Sequence, residues 1–88
     1  MGVARFPNSI PIYDSIHMVV HFPAIVGKET ISCAISSEAL ADHFENNPLI
    51  VATVFSRHRP AIERIAEKLI SQKRLENDGS ILIRSSDC

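Results

Sequence analysis

Between Val51 and Ile70, the apolar residues Val51, Val54, Phe55, Ile62, Ile65, Ala66, Leu69 and Ile70, with His58 in phase, recur at three- and four-residue steps. That is the stripe of a helix with one buried face. Upstream, Asn47 is a natural cap and Pro48 a natural first helical residue, so the helix is expected to start at Pro48. The stripe then crosses Pro60 without losing register. A straight helix from Pro48 to Arg74 would measure about 40 Å, and an interior proline costs about 3 kcal/mol or more. The chain must therefore bend near Pro60, either as two helices meeting there or as one helix kinked between Ser56 and Pro60. The kinked helix is expected, because Arg59 is a poor cap.

Alternation replaces the helical period earlier in the chain. Ile16, Met18, Val20 and Phe22 fall on one face of an expected strand, with His17, Val19 and His21 on the other. The segment Pro23 to Lys28 interrupts it, with Gly27 free to take a positive φ, and Glu29 to Ser36 resumes the pattern with Ile31, Cys33 and Ile35 inward. Two strands this close predict an antiparallel hairpin. A short strand near Ile10 to Tyr13 would be an edge or an extended arm, given Pro7 and Pro11. Ser36-Ser37-Glu38 supplies a cap and an early acid for a short helix to Glu45 carrying Leu40 and Phe44. Asn77 to Ser80 is a turn signal, and Ile81 to Arg84 reads as a closing strand on an edge of the hairpin. The order is β-β-α-α-β. The expected fold is α+β: a small antiparallel sheet with two helices packed on one face, the second long and kinked near Pro60.

Composition narrows the class. With 88 residues the chain forms one domain, 1–88, and at 45 % hydrophobic, 22 % charged and a net charge of −1 it lies outside the disordered regime. No apolar run approaches the roughly 18 residues of a membrane span. The start lacks the apolar core of a secretory signal, and Gly2 lacks the downstream Ser or Thr of a myristoylation signal. A soluble cytoplasmic protein with Cys33 and Cys88 as reduced thiols is expected.

Candidate chemistry is sparse. His17 and His21, if both lie on a strand, stand about 13 Å apart and cannot share an ion, and no metal-ligand spacing occurs elsewhere. Cys33 shares its phase with Ile31 and Ile35, which makes it a buried thiol and not a nucleophile. His43 borders the stripe of the first helix, and His58 belongs to the stripe of the second, so the two are candidates for a polar cleft. Charge is unevenly placed. Glu29 to Asn47 carries four acids and no Lys or Arg, whereas Ser56 to Leu75 carries Arg57, Arg59, Arg64, Lys68, Lys73 and Arg74 against Glu63 and Glu67. Arg57, Arg59, Arg64 and Lys68 are the candidate contacts for a partner or for phosphates. A sequence pI near 6.4 and few aromatics free for stacking weigh against nucleic acid.

Read together, Cys33-Ala-Ile-Ser-Ser-Glu-Ala-Leu40, His43-Phe44, Phe55-Ser-Arg-His-Arg59 and Ile62 resemble a family of small bacterial proteins catalogued as a domain of unknown function. Phe6-Pro7-Asn8, Tyr13-Asp14 and the strand Ile81 onward to Asp87 extend the resemblance over nearly the whole chain. It implies a single cytoplasmic α+β domain with no assigned activity, cofactor or catalytic residue. Pro60 departs from it, because a helix former is expected there.

The reading favoured by these features is a non-enzymatic protein-interaction or accessory regulatory module, with self-association into a homo-oligomer as the candidate mode. It needs no cofactor, no metal and no membrane. The alternative is a nucleic-acid-binding regulator using the basic face of the second helix.

Overall fold

A computed structural model describes residues 4–88; Met1 to Val3, and with them Gly2, lie outside the described residues. The order of elements is β1 (Ile12–Asp14), β2 (Val19–Val26), β3 (Glu29–Ser36), α1 (Ser37–His43), α2 (Val51–Arg57), α3 (Arg59–Ser71) and β4 (Ile81–Ile83), followed by a 3-10 turn, Ser85–Asp87. The class is α+β as expected. Among the described residues, however, the sheet has four strands and there are three helices.

β2 and β3 pair residue for residue from Val19 opposite Ser36 to Val26 opposite Glu29. A two-residue loop joins them, and Gly27 has φ +62° at its first position, where such a loop favours glycine. Pro23 does not interrupt β2. Ile25 exchanges both backbone bonds with Arg5 (2.8 and 2.7 Å), so residues 21, 23 and 25 turn their backbone groups toward the β1 side. β1 pairs only with Val19 to His21. Pro23 thus sits in the gap between those pairs and the Arg5 bridge, where its missing N–H costs no ladder bond.

The strand expected from Ile16 begins instead at Val19. Asp14 Oδ1 accepts the amides of Ile16 (3.0 Å) and His17 (3.1 Å), which folds residues 15–18 into a turn and leaves Met18 at φ +56°. Ile16 and Met18 are consequently exposed, not inward.

The strand order is β1-β2-β3-β4, antiparallel except that β4 runs parallel to β3, with Cys33, Ala34 and Ile35 opposite Ile81, Leu82 and Ile83. The wholly antiparallel sheet expected from sequence is corrected here. The chain leaves β3 through three helices, and a crossover of that length returns it to the starting end of the strand it left.

One face of the sheet builds the core. Val20, Phe22, Ala24, Cys33, Ile35, Ile81 and Ile83 alternate onto it and meet Ala39 and Leu40 of α1, Val51, Val54 and Phe55 of α2, and Ile62, Ala66 and Leu69 of α3. Phe22 and Phe55 stack at 5.0 Å between ring centres. All three helices lie over this face.

Helix ends follow local chemistry. Ser36 caps α1 by accepting the Ala39 amide at 3.0 Å. α2 starts at Val51 rather than Pro48; Asn47 closes only a single turn, its carbonyl taking the Ile50 amide at 3.2 Å. The long kinked helix is in fact two helices that meet at His58 (φ −112°, ψ 15°), with Pro60 in the first turn of α3, where it leaves no intrahelical bond unmade. At the end of α3 the Arg74 amide reaches the Leu69 carbonyl (2.9 Å) and the Lys73 amide the Ile70 carbonyl (3.0 Å). This Schellman closure puts Lys73 at φ +56°, in a place that usually favours glycine.

Candidate functional site

The helix break at His58 decides the fate of the Arg57-His58-Arg59 cluster. Turning at His58 sends the side chains on either side of it to different partners. Arg57 Nη1 donates to Glu45 Oε1 (3.0 Å) and His58 Nε2 to Glu45 Oε2 (2.8 Å), while the His58 ring packs on Phe44 at 5.2 Å. The His58 hydrogen bond, first, and the Arg57 charge hold the Glu45 carboxyl below its usual range. Arg59 turns the other way. It donates to the carbonyls of Ser9 (2.6 Å) and Pro7 (2.9 Å) and to Glu63 Oε2 (2.9 Å), with its guanidinium 5.6 Å from the Phe55 ring centre. It is a clamp on the N-terminal arm. Arg64 and Lys68 stand exposed, four residues apart on α3.

His43 and His58 have different partners. His43, exposed at the end of α1, lies 3.2 Å from the hydroxyl of Ser85, which itself donates to Asp42 Oδ2 at 2.6 Å. The Ser85 hydroxyl donates to the Asp42 carboxylate and the imidazole donates to the Ser85 oxygen, so His43 is not placed as a base toward Ser85. Cys33 is fully buried, and burial pushes its thiol up to about 12. Cys88 is exposed, and neither cysteine is in a disulfide.

The turn after β1 makes a cluster that reading His17 and His21 on one strand missed. His17 Nδ1 (2.8 Å) and His21 Nε2 (3.4 Å) both reach Asp14 Oδ2, bringing the two imidazoles to one oxygen instead of 13 Å apart. The His17 hydrogen bond is the largest of the effects that hold Asp14 well below the usual carboxylate range. An Asp two residues ahead of an exposed amide was the available signal. Among the described residues no three His, Cys, Asp or Glu side chains are placed to hold one metal ion, and no buried side-chain N or O lacks a hydrogen-bond partner.

Two surfaces remain. The sheet face opposite the helices is uncovered. Ile12, His21, Ala34 and Leu82 lie side by side across the four strands on this face, and Val19 and Ser36 adjoin them. Ile12 is 65 % exposed. Shallow depressions cross this face, one lined by Val19, His21, Ala34 and Leu82 together with Glu76, Asn77, Asp78 and Ser80 of the loop before β4, the other by Ile12, His21 and Pro23 among others. The second surface is a concavity of about 280 Å³ between α1, α2 and the end of β1, with apolar walls from Met18, Leu40, Ala41, Val51 and Val54 and, among the described residues, Glu38 and Glu45 as the charged groups of its lining.

Comparison with known proteins places this arrangement. The sequence profile described as "Protein of unknown function (DUF1488)" matches residues 5–83. The chain belongs to the DUF1488 family. It is 35 % identical over 68 residues to a protein of Escherichia coli K12 named "Uncharacterized protein YrdB", a match covering 76 % of this chain and 80 % of that one. It also matches the crystal structure of a DUF1488-family protein of unknown function from Shewanella loihica PV-4, with a TM-score of 0.77 and 28 % identity over 92 % of this chain and 91 % of that one. The resemblance noted in the sequence therefore holds, and the fold is that of another DUF1488 protein. No helix among the described residues is long and apolar enough to cross a membrane.

Proposed function

We propose that the chain is a non-enzymatic interaction module that pairs with a second copy of itself through the uncovered face of its sheet. The observation that carries this reading is the one-sided core: three helices cover one face, while Ile12, Val19, Ala34 and Leu82 line the other around His21. A sheet face that carries half-exposed Val19 and Leu82 and exposed Ile12 with no helix over it is completed by a second layer, and two such sheets pack about 10 Å apart. A twofold arrangement also suits the charges beside this face. The acid Asp14, with His17 and His21, lies at one side, and Arg84, paired to Glu76 at 2.9 Å, lies at the other. Two free thiols accord with a cytoplasmic setting for this module.

Sedimentation equilibrium tests the reading. The parent chain should be dimeric at micromolar concentration, and Leu82→Glu or Val19→Glu, each placing a charge on the face, should leave a folded monomer. A parent that stays monomeric up to about 100 µM, weaker than about 5 kcal/mol of association, would refute it.

A nucleic-acid-binding regulator is the second reading, supported by Arg64 and Lys68, which make no side-chain bond among the described residues. With Arg57 and Arg59 drawn to Glu45, Glu63 and the N-terminal arm, few free cations remain, so the slope of log K against log salt should be no steeper than about −2 to −3. Charge reversal at Arg64 and Lys68 together should abolish binding to mixed DNA or RNA at low salt; unchanged binding would discard this role.

A further inference from the structure

The concavity between α1 and α2 is lined by none of Ile12, Val19, His21, Ala34 and Leu82 of the sheet face, although Glu38 at its edge also borders a shallow depression with Val19, Leu82 and Arg84. Its lining combines three features. Its walls are apolar, supplied by Met18, Ala41 and Val51 among others. Among the described residues, the charged groups of its lining are two carboxylates. Glu45 is held in place by Arg57 and His58, whereas Glu38 makes no ion pair or side-chain hydrogen bond among the described residues. At about 280 Å³ the space lies at the lower limit of ligand pockets and suits one or two side chains rather than a cofactor.

We infer that this groove docks an extended segment of a partner protein in which an aliphatic or aromatic residue adjoins an Arg or Lys, the apolar side chain seated against Met18, Ala41 and Val51 and the cation directed to Glu38. Charge complementarity selects the cation. A groove with carboxylates and no base repels an acidic segment, and the unpaired Glu38 is free to accept a guanidinium or ammonium. The flexible Met18 thioether accommodates more than one apolar shape.

The test is selection from a phage-displayed library of random dodecapeptides on the folded full chain, followed by binding of the enriched peptides to Glu38→Lys and to Ala41→Phe, which fills the groove. Both variants are first confirmed to unfold within a few degrees of the parent. The expected result is enrichment of peptides pairing Arg or Lys with Leu, Ile, Met or Phe, each losing at least about tenfold in affinity on either variant. No enrichment, enrichment of acidic or purely polar peptides, or equal binding to parent and both variants overturns the inference. So does free argininamide binding as tightly as the peptides, which would make the groove a small-amine site. Because Ile12 lines the sheet face and neither the groove nor the depression that Glu38 shares with Val19 and Leu82, a monomeric Ile12→Glu variant that still selects the same peptides separates this inference from the self-association reading.

Discussion

Replacing Arg59 by Ala tests whether the most conspicuous basic residue of the chain serves the surface or the fold. Its side chain is 16 % exposed and that of its partner Glu63 22 %, and its guanidinium spans the Ser9 carbonyl at 2.6 Å, the Pro7 carbonyl at 2.9 Å and Glu63 at 2.9 Å. A hydrogen bond to a charged group nets about 1.5–3 kcal/mol, and an Arg over an aromatic ring adds about 0.5–1 kcal/mol. These contributions do not sum, because the freed carbonyls and Glu63 regain water when the arm lifts. A net loss of about 2–3 kcal/mol follows. In a domain of this size each kcal/mol moves Tm by about 4–8 °C, so Arg59→Ala should melt about 10–20 °C below the parent in a thermal scan followed by circular dichroism. Arg59→Lys keeps the charge but not the fork and should fall between the two. Loss of the clamp should also release the arm, so the Ile25 amide, which donates to Arg5 at 2.7 Å, should exchange faster relative to the amides of the β2–β3 ladder. Arg64→Ala is the control and should stay within about 0.5 kcal/mol of the parent. An Arg59→Ala protein melting within about 2 °C of the parent, with Ile25 still protected, would refute the clamp.

Phe55, fully buried against Phe22, should cost about 3–5 kcal/mol when cut to Ala, read as the fall in urea midpoint at constant slope; a loss under about 1 kcal/mol would mean the site collapses around the cavity. Glu45 has a lowered carboxyl, so its contribution to stability is present above the usual carboxylate range and lost as pH falls through and below it. The stability gap between the parent and Glu45→Gln should therefore shrink from about pH 6 to about pH 3, and a constant gap would show that Glu45 is not titrating against Arg57 and His58. Two left-handed positions should respond with opposite signs. Gly27→Ala at φ +62° should lose about 1 kcal/mol although open space surrounds the added carbon, and Lys73→Gly at φ +56° should gain up to about 1 kcal/mol; thermal melts showing equal signs would contradict the backbone account. Cys33 should resist iodoacetamide in the folded protein and react once unfolded, with Cys88 reacting in both states; rapid native alkylation of Cys33 would reopen a thiol-dependent activity.

Those outcomes separate what local pattern carries from what tertiary placement adds. The α+β class, the hairpin, the inward Cys33 and the bend near Pro60 were all legible, because each depends on a period or on a residue's own backbone limits. Pro60 removes a donor wherever it stands, so a break nearby was forced. Whether the break makes one kinked helix or two depends on His58, whose ring is drawn to Phe44 and Glu45, residues thirteen or fourteen positions away. Similarly, Pro23 read as an interruption because proline is penalised in paired strands. Its place opposite the gap between β1 and Arg5 comes from the length of β1, which alternation does not encode.

The direction of β4 and the candidate site share one reason for being illegible. Ile81 to Ile83 carry the same apolar pattern in a parallel or an antiparallel pairing, and only the three-helix path from β3 selects between them. Side-chain partners are likewise chosen by placement. The signs of the charges were plain, an acidic stretch facing a basic one, but not that Glu45 would take both Arg57 and His58, that Arg59 would turn to backbone carbonyls fifty residues upstream, or that Asp14 would bring His17 and His21 together by ending β1 in a turn. Once those pairs form, the basic cluster that looked most like chemistry is paired within the chain. Besides the exposed Arg64 and Lys68, the surfaces left without internal partners include the uncovered sheet face and the groove between α1 and α2, neither of which announces itself as a motif because each is assembled from residues distant in sequence. A function resting on them is a matter of contacts made by the folded chain, and it is on these two surfaces that substitution should separate binding from stability.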